Sequence, residues 1–250
     1  MRLPGETQGP DALHAEVLRL GENPAAQRRF LEAQAIGEGD LIALLHRSVP
    51  IALLEGVAQT SPWSERPRVL GAIVLNPKAP RTLAQRLVPY LSWRDLADVV
   101  ASPRVEGGVR ARAEGLLKDK LVELRLGEKI TLARLATPAV LRLLLGESDA
   151  KIIDAALWNP RLREADLVSL VQGGEAGRPL LELVAASRRW QESYAVRLAL
   201  TLQPKTPLPL ALAQITSLTP RDLRRVAESP GVAPLVQAAA ARVAQKPRGS

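Results

Sequence analysis

Apolar residues in this chain come in short bursts at helical intervals. Leu83, Leu87 and Leu91 lie four apart, and Leu96, Val99 and Val100 follow with spacings of three and one. Spacings of three and four place side chains on one face of a helix. Each burst is soon closed by proline, glycine or an amide residue, so the pattern predicts helices of one to three turns or slightly more. Helices this short are marginal alone, and their stability must come from packing one on the next. Aromatic residues make up only 3% of the chain, which leaves Leu, Ala and Val to build the core, a palette that favours helices over sheets. The expectation is an all-α protein.

The punctuation between bursts recurs. "VLNPKAP" at 74–80 returns as "TLQPKTP" at 201–207, and a third copy, "LWNPRL", stands at 157–162. Sliding the chain against itself by 127 positions aligns 76–114 with 203–241 without a gap, with 16 of 39 positions identical, Pro77, Pro80, Leu91, Asp95 and Pro103 among them. A shift of 127 is about three times the length of one helical repeat unit. A second marker agrees: Pro50, Trp93, Pro138, Pro179 and Pro220, each near an expected helix start, are separated by 43, 45, 41 and 41 residues. The terminators and the helix starts therefore give one period of about 42.

Local chemistry accounts for both markers. "SWRDLADVV" reads as Ser92 at the N-cap, Trp93 at the first helical position and Asp95 at the third; "TPRDLRRVA" repeats it with Thr219, Pro220 and Asp222. Each resembles a capping box with the shorter acid, and proline suits a first position whose amide has no helical partner. At the terminators, an Asn ending a helix tolerates the left-handed conformation, and the following proline cannot continue the helix. One unit then holds a helix such as "PRTLAQRLVPYL", a short one such as "WRDLADVVAS" and a third such as "VEGGVRARAEGLL" or "AVRLALTL".

Three short helices in about 42 residues, broken by prolines, resemble armadillo or HEAT repeats, and the Pro-rich, degenerate units are also similar to bacterial leucine-rich-repeat-variant proteins. The resemblance rests on period and pattern over about 40–245, and the absent cysteine cluster departs from some members of the variant family. It implies a right-handed α-solenoid, or superhelix, of about five degenerate repeats of about 42 residues. Residues 1–39 are then an N-terminal helical cap, 40–245 the repeat solenoid, and 246–250 a frayed tail.

Charge and composition narrow the chemistry. The chain carries no cysteine, which excludes disulfide scaffolds, thiolate nucleophiles, iron–sulfur clusters and most structural zinc sites. Its apolar runs are too short to span a bilayer and no apolar leader core opens the chain, so no membrane insertion and a cytoplasmic location are expected. The net charge is +8, concentrated over 61–127 (12 basic against 7 acidic) and 191–250 (8 against 3). A basic balance favours an anionic partner. Of the 34 basic residues 27 are Arg, a bias that codon composition also explains.

No residue constellation names a reaction. His14 and His46 are isolated and fit no metal-ligand spacing. Gly-Glu pairs recur at 21, 37, 127, 146 and 174, but with no strand before them or fixed lysine after them they read as helix punctuation, Gly closing one helix and Glu opening the next. Asp95 is assigned to capping, and Asp98, Asp154 and Asp166 have no spacing that makes a carboxylate pair. No cofactor and no enzymatic activity are expected. The candidates are surface residues. Lys78, Arg161 and Lys205 follow the terminator prolines and form either a basic ladder or cations stabilising helix C-termini, the second being favoured. Trp63, Trp93, Trp158 and Trp190 lie at unit boundaries; packing suits most, and Trp93 is singled out because its counterpart is Pro220.

The function expected from this reading is a non-enzymatic scaffold or adaptor that binds a protein or peptide partner on an extended solenoid surface. The alternative is a nucleic-acid-binding repeat protein with a basic face. The candidate binding surface comprises Lys78, Arg81, Arg86, Trp93, Arg94, Arg110, Arg112, Arg161, Lys205, Arg221, Arg224 and Arg225.

Overall fold

A computed structural model describes residues 10–33 and 36–245. Among the described residues the regular structure is entirely helical. The chain divides into two compact units at Glu123/Leu124.

The first unit holds α1 (Pro10–Leu20), α2 (Pro24–Ala33), α3 (Glu38–Leu45), α4 (Ile51–Gln59), α5 (Pro67–Val74), α6 (Arg81–Leu87), α7 (Trp93–Ala101) and α8 (Gly107–Lys120), with 3-10 turns at Trp63–Glu65, Val88–Tyr90 and Leu121–Glu123. The second holds α9 (Leu126–Leu135), α10 (Pro138–Leu145), α11 (Ala150–Leu157), α12 (Glu164–Gln172), α13 (Arg178–Ala186), α14 (Arg188–Gln191), α15 (Tyr194–Leu202), α16 (Leu208–Gln214), α17 (Pro220–Glu228) and α18 (Pro234–Gln245), with a 3-10 turn at Ile215–Ser217. Packing is sequential in both. In the first unit α5 touches α3, α6 and α7, and α7 lies against α8; in the second α11 touches α9, α10 and α13, and α17 lies against α18.

The side chains that close these contacts are those of the periodic bursts. Leu83, Leu87, Leu91, Leu96 and Val99 are at most 5% exposed, as are Leu223 and Val226 in the second unit. Leu and Val dominate both cores, and burying one such side chain contributes about 1.5–3 kcal/mol.

The 127-residue shift reproduces secondary structure as well as sequence. Residues 81–87, 88–90 and 93–101 become 208–214, 215–217 and 220–228 with the same helix type, and the starts of α5 and α8 map onto those of α15 and α18. Both capping expectations hold: Ser92 Oγ accepts from the Asp95 amide and Thr219 Oγ1 from that of Asp222, each at 3.3 Å. Each hydroxyl also donates to the acid it faces, at 2.5 Å in the first copy and 2.7 Å in the second.

One expectation is corrected. The segment read as one helix over 80–91 splits, α6 giving way to the 3-10 turn at Val88–Tyr90. Its copy tightens at the same place without a proline, so the turn into the Ser92 and Thr219 caps sets the tightening, and Pro89 merely tolerates it. The terminator amides do not adopt the left-handed conformation: among the described residues no non-glycine has a positive φ, and Gly21 at +60° is the one glycine that does. Gly21 closes α1, its amide donating to the Val17 and Leu18 carbonyls at 3.3 and 3.2 Å. The tail at 246–250 lies outside the described residues.

Candidate binding surfaces

The terminator amides do something other than bend the chain. Asn76, Asn159 and Gln203 are 5%, 1% and 6% exposed, and each reaches back to the C-terminal end of an earlier helix. Asn76 Nδ2 donates to the Leu45 and Arg47 carbonyls at 2.5 and 2.7 Å, at the end of α3. Asn159 Nδ2 donates to Ala133 and Ala136 at 2.7 and 3.2 Å, at the end of α9. Gln203 Nε2 donates to Val171, and to Gly173 at 3.2 Å, at the end of α12. The side-chain oxygens accept from the amides of Lys78, Arg161 and Lys205 at 2.9, 2.7 and 3.2 Å. Helix C-termini leave carbonyls without intrahelical donors, and here one buried amide satisfies two of them while fixing the following turn. Gln27 on α2 makes a related bond pair, donating to Val17 and Gly21 at the end of α1 at 3.0 and 2.8 Å. The Asn23–Pro24 pair differs: Asn23 Oδ1 caps α2 by accepting from Ala26.

The cations behind the prolines fit the structural reading in two cases of three. Arg161 donates to the Leu135 carbonyl and Lys205 to that of Gly174, both at 2.6 Å, so each supplements the amide beside it at the same helix end. Lys78 is exposed, and its ammonium has no hydrogen bond or ion pair among the described residues.

The other basic candidates fall into separate local settings. In the first unit Arg81 pairs with Glu106 at 3.6 Å, Arg94 lies over the Trp93 ring at 5.3 Å, and Arg86 and Arg112 are exposed. Arg110 is half-buried, its Nε without a partner. In the second unit Arg224 donates back to the Pro220 carbonyl at 3.3 Å. Arg221 and Arg225 are exposed and flank Asp222, whose carboxyl is held below its ordinary value first by the Tyr194 hydroxyl, then by Thr219, with smaller contributions from both arginines.

The remaining candidate chemistry is structural. His14 Nε2 donates to the Ser48 carbonyl at 3.0 Å, and His46 closes α3. The Gly-Glu pairs serve helix ends in more than one way. Glu22 accepts from the Ile51 and Ala52 amides at 3.1 and 2.9 Å and so caps α4 from another segment, whereas Gly127 and Glu128 lie inside the first turn of α9. Among the described residues no three His, Asp or Glu side chains gather as a metal site, and no helix is long and apolar enough to cross a membrane.

The tryptophans separate clearly. Trp190 is 4% exposed and donates through Nε1 to the Leu157 carbonyl at 3.2 Å, with the Arg189 guanidinium 4.4 Å above its ring. Trp63 and Trp93 are half-buried. Trp158 is 64% exposed, and it lines a groove of about 400 Å³ between α9 and α11 with Ile130, Arg134, Lys151, Asp154 and Ala155. Among the tryptophans the one most available to a partner is thus Trp158 rather than Trp93. Its signal was present in the terminator alignment, where Leu75 and Leu202 stand at the same register and both are half-buried.

Comparison with protein-family models found no match, and searches of curated proteins and of solved structures found no significant match either. The likeness to armadillo and HEAT repeats therefore stands on period and pattern.

Proposed function

We propose that this chain is a non-enzymatic scaffold that binds a protein or peptide partner, built as an α-solenoid of five degenerate repeats of about 42 residues. The proposed repeats begin at α3, α6, α9, α12 and α16, whose first residues are 38, 81, 126, 164 and 208. In three of the five, α3–α5, α9–α11 and α12–α15, a buried amide ties the end of the third main helix to the end of the first.

One observation carries the functional reading. The buried or capping polar groups that recur from copy to copy are spent on caps and clamps, while several exposed positions change: Asp98 faces Arg225 and Arg112 faces Ala239 across the alignment, although an exposed arginine is kept at Arg94 and Arg221. A scaffold held by repeated interior bonds and varied outside is the arrangement by which repeat proteins acquire a particular partner.

Crosslinking the full chain to its neighbours in the source cell, followed by mass spectrometry, tests this. The expected result is a discrete protein crosslinked through exposed residues of the helices. Recovery of nucleic acid in its place, released by nuclease and weakened steeply by salt, would establish the nucleic-acid alternative and overturn the proposal.

A further inference from the structure

The α9–α11 groove combines an exposed aromatic ring with charged side chains that take part in no hydrogen bond or ion pair among the described residues. Lys151, Asp154, Ala155 and Trp158 fall three, four and seven residues apart along α11 and its C-cap, which places them on one face. Ile130 and Arg134 face them from α9. Ala155 is buried and small, giving the groove its floor, while Lys151, Asp154 and Arg134 are exposed. None of these three side chains has a hydrogen bond or ion pair among the described residues.

The two other helices of this register lack the set. Where α11 carries Lys151, Asp154, Ala155 and Trp158, α5 carries Arg68, Gly71, Ala72 and Leu75, and α15 carries Ala195, Leu198, Ala199 and Leu202. The alanine is common to all three, so it belongs to the framework. The indole is not required by it, because leucine fills the position twice. Beside the groove Asn159 is committed to α9 carbonyls and Arg161 to Leu135, so the walls are fixed by bonds that a ligand need not break.

We infer that this groove takes a short extended segment of a partner protein in which an apolar side chain lies on the Trp158 indole and a neighbouring carboxylate meets Lys151 or Arg134. Tryptophan is among the residues most often dominating a binding interface, since it buries a large rigid area at small entropic cost. Two cations against one carboxylate give the lining a net positive charge, which selects an acidic flank. Asp154 is then available to a backbone amide of the segment. This assignment rests on the peptide-binding reading above and gives it a site and a chemistry.

The test is selection of a displayed library of random linear peptides on the full chain, with affinities of the recovered peptides measured for wild type, Trp158→Leu and Lys151→Glu. Leucine at 158 reproduces Leu75 and Leu202, and glutamate in the first turn of α11 suits the helix dipole, so both variants retain the fold, as their melting curves verify. The expected peptides pair an apolar with an acidic residue and lose at least about tenfold in affinity with either variant, the loss typical of an interface hot spot. Peptides that bind wild type and both variants alike overturn the groove and leave the scaffold reading standing. Loss with Trp158→Leu alone, or enrichment of basic peptides, overturns the acidic flank. Recovery of no peptide overturns both readings. Binding of single-stranded oligothymidylate that disappears in Trp158→Leu overturns the peptide in favour of nucleic-acid stacking.

Discussion

Asn159 donates to two carbonyls and accepts from one amide while 1% exposed, so its side chain has almost no freedom to be anything else. Replacing it with aspartate keeps the shape but turns a donor into an oxygen facing two carbonyl oxygens. Asn159→Asp is expected to cost about 3 kcal/mol, the scale for breaking a buried polar pair, read as a lower urea midpoint with an unchanged slope. Tyr194 offers a second residue-scale test. Its hydroxyl is the largest cause of the lowered Asp222 pKa, so the stability from that contact is present above the unfolded carboxyl value of about 3.9 and is lost as the pH falls through the lower folded value. Tyr194→Phe should therefore melt below wild type at neutral pH, and the gap should close as the solution is acidified through that range.

At the scale of single helices the caps are the most local devices and were the most legible. Ser92 and Asp95, like Thr219 and Asp222, are three residues apart, and the chain states the whole bond within one turn. Ser92→Ala and Thr219→Ala should each cost about 1 kcal/mol, and together the sum, since they lie in separate units; thermal melts of the single and double variants check it. Asp98 is expected to act in the opposite direction. Partial burial of its carboxyl raises its pKa first and the Asp95 charge adds to that, so the ionised form is disfavoured in the fold, and this penalty is relieved as the pH falls through the raised folded value towards the ordinary one. Asp98→Asn should raise the melting temperature at neutral pH and leave it unchanged in acid. The clamps were less legible for a physical reason. Asn76 bonds to carbonyls 31 and 29 residues earlier, and no local rule distinguishes a buried amide from one that turns the backbone. The terminator alignment set Trp158 against Leu75 and Leu202, but its exposure was not legible, because which tryptophan is buried depends on the neighbour each helix finds.

For the molecule as a whole, repetition carries both the structure and the proposed function. The 127-residue recurrence was readable because amide–proline stops and capped helix starts kept one spacing in both copies, and the period of about 42 belongs to the proposed solenoid. The basic charge was readable as a number but not as a surface, since Arg161 and Lys205 spend donors on helix ends and Arg81 pairs with Glu106. The central claim, that the recurring stops are buried clamps tying the end of one helix to the end of an earlier one, is tested most directly by hydrogen exchange at the backbone amides of Lys78, Arg161 and Lys205. These residues lie in exposed turns outside the helices, yet each amide donates to a terminator side chain. The account predicts slow exchange at all three, with Asn76→Ala releasing Lys78 while Arg161 and Lys205 remain protected. Exchange as fast as in unprotected loops at these three amides would contradict it.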